Sequence, residues 1–143
     1  VGGRHIDTAF VYGDVQQASV GKAIKASGLP RDAVFVTTKV TCCPTDRCSD
    51  FCHAPPNPVG ASMWNQTEQL EHSLHLLGLD YVDLALLHFP CSTPEGTAAA
   101  YATLEAAYAK GQARAIGVSN LNASALAALL RIATVRPAVN QNA

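Results

Sequence analysis

Five apolar runs in this chain each close on a polar side chain able to do chemistry. RHID ends on Asp7, VFVTTK on Lys39, VDLALLH on His88, ARAIGVSN on Ser119 and Asn120, and AVNQ on Gln141. Helical patterns separate most of these runs. Strand alternating with helix predicts a parallel sheet with helices packed outside it. Right-handed crossovers make parallel strands point the same way, so their C-terminal ends share one face. In barrels of alternating strands and helices that face carries the active site. An acid, a lysine, a histidine and an amide cluster are therefore expected to meet in space, although more than a hundred residues separate the first from the last.

The helices between the runs have readable ends. The first is expected within Val15–Ser27, with Val20, Ile24 and Ser27 on one stripe and a stop at Gly28 and Pro30. The second runs through Gln66–Leu77, where Leu70, Leu74 and Leu77 share a face and Gly78 supplies the C-terminal cap. In the third, Thr93, Pro94 and Glu95 read as N-cap, first helical residue and first-turn acid, with Tyr101, Leu104 and Tyr108 buried and Gly111 at the end. The fourth follows Asn122 as N-cap and turns Leu126, Leu129 and Leu130 inward. Pro137 then opens the last strand.

The segment Thr41–Ser62 breaks the rhythm. It holds Cys42, Cys43, Cys48 and Cys52 with Pro44, Pro55, Pro56 and Pro58, and it reads as an irregular loop overhanging the reactive face. A zinc site on Cys42, Cys48, Cys52 and His53 lacks the second ligand pair that structural zinc sites usually add at a distance. Cys91 stands apart. With five cysteines in all, an odd count, free thiols are expected ahead of a disulfide, and no metal is expected. His72 and His75, three residues apart on the second helix, are read as a solvated face.

The composition narrows the function classes. Apolar residues make up 48% and charged residues 15% of 143 residues, a globular balance that suits a single domain over 1–143. A net charge of −1 gives no electrostatic footprint for nucleic acid or an anionic membrane. No apolar stretch approaches the roughly 18 residues a membrane helix needs. A cytoplasmic location is expected. The chain starts at Val1 and stops at Ala143, each beside a strand, so both ends are expected to be cut from a longer frame.

With these residues in view, the chain resembles the aldo-keto reductase family. GGRHIDTAFVYGD resembles the family's first signature, in which an Asp and a Tyr lie five residues apart. VFVTTKV resembles the strand bearing its lysine, and LLHFP the strand bearing its histidine. KGQARAIGVSN is similar to its nicotinamide-binding segment, and VNQ to the next strand, whose Gln contacts the nicotinamide. The signature differs at Gln17, where the family usually has an acid, and at Phe89, where it often has Trp. The resemblance implies a TIM (β/α)8 barrel of the α/β class, incomplete here, with about five of the eight strands and their outer helices. Ile6, Val36, Leu86, Ile116 and Val139 are expected to face the barrel interior. The first strand and the last two, which hold much of the site for the cofactor's far end, would lie outside this chain.

The resemblance further implies NAD(P)H-dependent reduction of an aldehyde or ketone to an alcohol. It carries over Asp7, Tyr12, Lys39 and His88 as catalytic residues and Asp7, Ser119, Asn120 and Gln141 as cofactor contacts. Tyr12, His88 and Phe89 would line the pocket for a small-molecule carbonyl substrate. NADPH is the expected cofactor, with NADH left open. The chemistry suits the residue types. A free phenol gives up its proton near pH 10, and an adjacent ammonium favours the phenolate. A histidine that donates to the carbonyl oxygen orients it for attack. Carboxamide and hydroxyl side chains match a nicotinamide carboxamide, which both donates and accepts. Two other readings stay open: a catalytically silent, cofactor-binding regulatory subunit, and a non-functional fragment.

Overall fold

The structure is a computed structural model that describes residues 2–42 and 64–142. Its centre is one parallel sheet of five strands in the order β1-β2-β3-β4-β5. The strands are β1 (His5–Asp7), β2 (Phe35–Val40), β3 (Val82–Leu87), β4 (Ala113–Ser119) and β5 (Asn140–Gln141). Sequential strands are neighbours throughout, the order of a singly wound (β/α) barrel. Helices α1 (Asp14–Ala26), α2 (Gln66–Leu77), α3 (Pro94–Ala109) and α4 (Ala123–Leu130) cover one face of the sheet. The arrangement is a half-barrel, five strands of a (β/α)8 barrel with its outer helices.

Local sequence explains the element ends. Asn65 caps α2 by accepting from the Glu68 backbone N–H, while the Glu68 side chain accepts from Asn65 N–H, a reciprocal capping box. Gly78 closes α2 with φ 65, a left-handed conformation that costs glycine little. Thr93 caps α3 with Pro94 in the first turn, and Asn122 caps α4. The last strand is shorter than the run AVNQ suggested. Ala138 N–H still donates to Ile116 O and Val118 N–H to Val139 O, so the ladder begins before the strand proper. On α3, Glu105 accepts from the backbone of Thr134 and Val135, and the Tyr101 hydroxyl donates to Val135 O. These bonds hold the approach to β5 and so place Gln141.

Several buried faces differ from the expected ones. The buried side of α1 is Gln17, Gly21 and Ile24, while Ser27 is exposed. Tyr108 on α3 and Leu130 on α4 are exposed too; Ala100 and Ala107 join the core on α3, and Leu129 is buried on α4 as expected. The reason is helix packing. A stripe follows the line of contact with the neighbour, and small residues mark the closest approach. A Cβ on Gly21 would lie 2.6 Å from the Leu77 carbonyl oxygen, so α1 crosses α2 there.

The strand register corrects the expected barrel interior. Asp7 pairs with Thr37, Lys39 with Leu86, and Leu86 with Gly117, so these residues share the concave face. Side chains alternate between faces. Ile6, Val36 and Ile116 therefore point the other way, into the core beneath the helices, and only Leu86 and Val139 lie on the inner side. At the N-terminal end, Asp83 accepts from Arg31 and from Val36 N–H, binding β2 to β3 far from the polar face.

Candidate active site

Every polar residue singled out at a strand end lies at the same end of the sheet. Asp7 closes β1, Lys39 is the last residue but one of β2, His88 follows β3, Ser119 closes β4 and Gln141 closes β5. Parallel register alone produces this. His88 N–H donates to Val40 O, and Asn120 N–H donates to Gln141 O, which sets the neighbouring ends level.

Lys39 is the centre of the cluster. It is 3% exposed, and a buried ammonium needs partners. Its Nζ donates to Asp7 Oδ1 in a short ion pair, to Thr8 O at 3.2 Å and to Tyr12 Oη at 3.5 Å. Tyr12 comes from a 3-10 turn, Phe10–Tyr12, between β1 and α1. Its ring also lies under Nζ at 5.2 Å and meets the His88 ring edge-on at 6.0 Å. Asp7 is pulled two ways. Burial raises its carboxyl, but hydrogen bonds from Gln141 and Lys39 and the Lys39 charge outweigh this and hold it below the usual range.

His88 is 8% exposed and stacks on Phe89 with ring centres 4.4 Å apart. Burial, with the Lys39 charge adding to it, lowers its imidazole to about 4, while Asp7 works in the opposite sense. The ring is therefore neutral around pH 7 and keeps one N–H to donate. Its backbone carbonyl accepts from Asn120 Nδ2 at 3.0 Å. Asn120 has φ 60, and its amide also donates to Ser119 Oγ at 2.9 Å. Ser119 Oγ donates to Gln141 O, and Gln141 Nε2 donates to Asp7 Oδ2 at 2.7 Å. A polar chain thus runs from β3 through β4 and β5 and across the concave face to β1.

This donor set suits a nicotinamide. The hydroxyl of Ser119 and the carboxamides of Asn120 and Gln141 sit on adjacent strand ends beside Asp7 and His88, and such groups can answer both the donor and the acceptor of a ring carboxamide.

Some contacts escape the sequence. Gln69 is fully buried. Its amide accepts from Thr41 N–H and donates to Thr41 O and Trp64 O, anchoring the chain that leaves β2. The signal was present as a polar residue on the buried stripe of α2. His72 is not on a solvated face: its side chain is 12% exposed and pairs with Asp14. Cys42 and Cys91, expected as free thiols, form a disulfide with Cα atoms 5.3 Å apart. Cys42 lies two residues past the end of β2 and Cys91 four past the end of the neighbouring β3, so the pairing of those strands brings the two segments together, which spacing along the chain does not show. Cys43, Cys48, Cys52 and His53, the other members of the cysteine-rich loop and of the zinc reading, lie outside the described residues. No described helix is long and apolar enough to cross a membrane.

The family model for the aldo/keto reductase family matches residues 1–143. An aldo-keto reductase of Mycobacterium tuberculosis is 39% identical over 141 residues, covering 99% of this chain and 44% of the relative. The chain therefore spans less than half the length of that curated relative. Among solved structures, an aldo-keto reductase from a deep-sea metagenome library superposes with a TM-score of 0.76 at 36% identity, covering 99% of this chain and 45% of the other. An aldo-keto reductase of Bombyx mori, solved in complex with NADP, gives 0.73 at 34% identity, covering 97% and 43%. With one family model spanning the chain and the same half-barrel in these structures, the chain belongs to the aldo-keto reductase family.

Proposed function

We propose that the protein carrying this chain is an NAD(P)H-dependent oxidoreductase that reduces aldehyde or ketone carbonyls to alcohols, with Tyr12 as the proton donor. NADPH is the preferred assignment. The observation that carries the reading is Lys39, buried and held by Asp7, with its ammonium 3.5 Å from the Tyr12 hydroxyl. A reduced nicotinamide dinucleotide supplies the hydride when bound. The residues of this chain do the rest. Ser119, Asn120 and Gln141 would hold the carboxamide of the cofactor's nicotinamide. His88, neutral and buried, donates its N–H to the carbonyl oxygen and polarises it. The chemistry the cofactor would supply is hydride at the carbonyl carbon, and Tyr12 Oη would give its proton to the carbonyl oxygen. The phenolate left behind would be stabilised by Lys39, which Asp7 holds in place. Tyr12 is 47% exposed, so solvent can return the proton. Phe89, stacked on His88, would form an apolar wall for the substrate.

Tyr12→Phe in the intact protein is the test, because it keeps the ring and removes only the acidic hydroxyl. Turnover with a test aldehyde should fall at least about 10²–10⁴-fold, the usual weight of general acid catalysis. Cofactor binding, followed by fluorescence titration, should persist. Unchanged turnover would mean that the proton comes from another group.

A further inference from the structure

Tyr12 is the loosest of the four clustered side chains. It is 47% exposed, and among the described residues its hydroxyl meets one polar partner, Lys39 Nζ, at 3.5 Å. The position of the hydroxyl therefore depends on the turn that carries it. That turn is short, and it joins α1 through Gly13, whose φ of 94 is a region where the backbone of glycine is lightly restrained. The turn's own bonds, Tyr12 N–H to Ala9 O and Gly13 N–H to Phe10 O, fix its shape, while contacts from outside fix where it sits.

We infer that His72, on α2, is a positioning residue for Tyr12. Its Nε2 lies 2.9 Å from Asp14 Oδ1, and its ring lies edge-on to Phe10 with centres 6.2 Å apart. Phe10 and Asp14 stand two residues before and two residues after Tyr12, so one imidazole grips the segment on both sides of it. Trp64 backs this grip, 4.8 Å from the His72 ring and 5.7 Å from Phe10. The bond to Asp14 couples α2 to the start of α1, one residue past Gly13, and the aromatic contacts fix the other end of the turn. Removing His72 leaves the turn free to swing, and the hydroxyl drifts from Lys39 and from the carbonyl oxygen it serves. The role rests on the proposed function, because it acts only through Tyr12 as acid.

The experiment uses the intact protein. His72→Ala and Asp14→Ala should each lower kcat roughly 10- to 100-fold, the scale on which ångström misplacement acts, with cofactor Kd unchanged. His72→Gln, whose amide nitrogen can replace the imidazole Nε2–H, should recover most of the rate. In a Tyr12→Phe background, His72→Ala should cause no further loss, the coupling expected of two residues acting as one unit. Asp14 is half-exposed and its removal spares the aromatic packing, so Asp14→Ala reads the bond even where His72→Ala fails to fold. Wild-type kcat in Asp14→Ala, or an equal fractional loss from His72→Ala in both backgrounds, overturns the positioning role. An inactive Tyr12→Phe beside a fully active His72→Ala removes this role and leaves the proposed function standing. A fully active Tyr12→Phe removes both.

Discussion

His88 shows how one side chain is tuned by its surroundings. Burial under Phe89, with the Lys39 ammonium nearby, brings its imidazole down to about 4 from an ordinary 6.5. A histidine so lowered stays neutral in the fold while the unfolded chain takes up a proton first. Its contribution to stability is therefore complete above about pH 6.5 and is lost as pH falls toward 4. In the intact protein, 1H–15N spectra should show the His88 ring titrating near 4, well separated from any exposed histidine. A midpoint near 6.5 would contradict the burial described here. Asp7 follows the opposite logic. Hydrogen bonds and a neighbouring cation favour its charged form, and this keeps Lys39 paired in a place where a lone ammonium would be costly.

Between helices, close approach decides what sequence is tolerated. Gly21 sits where α1 crosses α2, and the carbonyl oxygens of Leu77 and Leu76 would lie 2.6 and 2.8 Å from an added Cβ. In an exposed helix, Gly→Ala gains up to about 1 kcal/mol of propensity. Here overpacking against rigid backbone costs about 1–3 kcal/mol, and the collision wins. Gly21→Ala should lower the melting temperature of the intact protein in a thermal scan. A higher melting temperature would mean that the helices separate at little cost. The same crossing brings His72 of α2 to Asp14 of α1, so the substitution should also disturb the Tyr12 turn and reduce kcat.

The half-barrel leaves β1 and β5 as edges with one strand neighbour each. Five strands do not close an eight-stranded barrel, and unpaired edges template association. A bridge does cross the gap, Gln141 Nε2 to Asp7 Oδ2, but one hydrogen bond in an exposed place contributes little. The helix-covered face is better provided for. Val36, Leu87, Ile116 and Val118 pack beneath Leu70, Leu74, Tyr101 and Leu104 in one continuous core. The open concave face should cost several kcal/mol against a typical total of about 5–15. Expressed alone, the 143-residue chain should aggregate or stay molten, with poorly dispersed amide signals. A monomer with sharp cooperative unfolding would show that five strands make a self-sufficient unit.

The strand ends were legible because the information is local. Alternating apolar runs place Asp7, Lys39, His88, Ser119 and Gln141 at strand termini, and parallel polarity alone puts those termini on one face. Helix boundaries were legible for the same reason: Asn122, Thr93 and Gly78 act on the backbone within a few residues. What the chain in one dimension does not display is which distant residues become neighbours. The inward face of β1, β2 and β4 differs from the expected one, because parity depends on register with the next strand and a shift of one residue inverts it. Tyr108 and Leu130 lay on apparent stripes yet face solvent, since a helix buries only what its neighbour covers. The Cys42–Cys91 pairing, the Gln141–Asp7 bond and the His72–Asp14 contact span 49, 134 and 58 positions. No periodicity encodes such pairs. Strand register and the crossing of α1 over α2 create them, so only the folded chain decides how firmly Tyr12 is held.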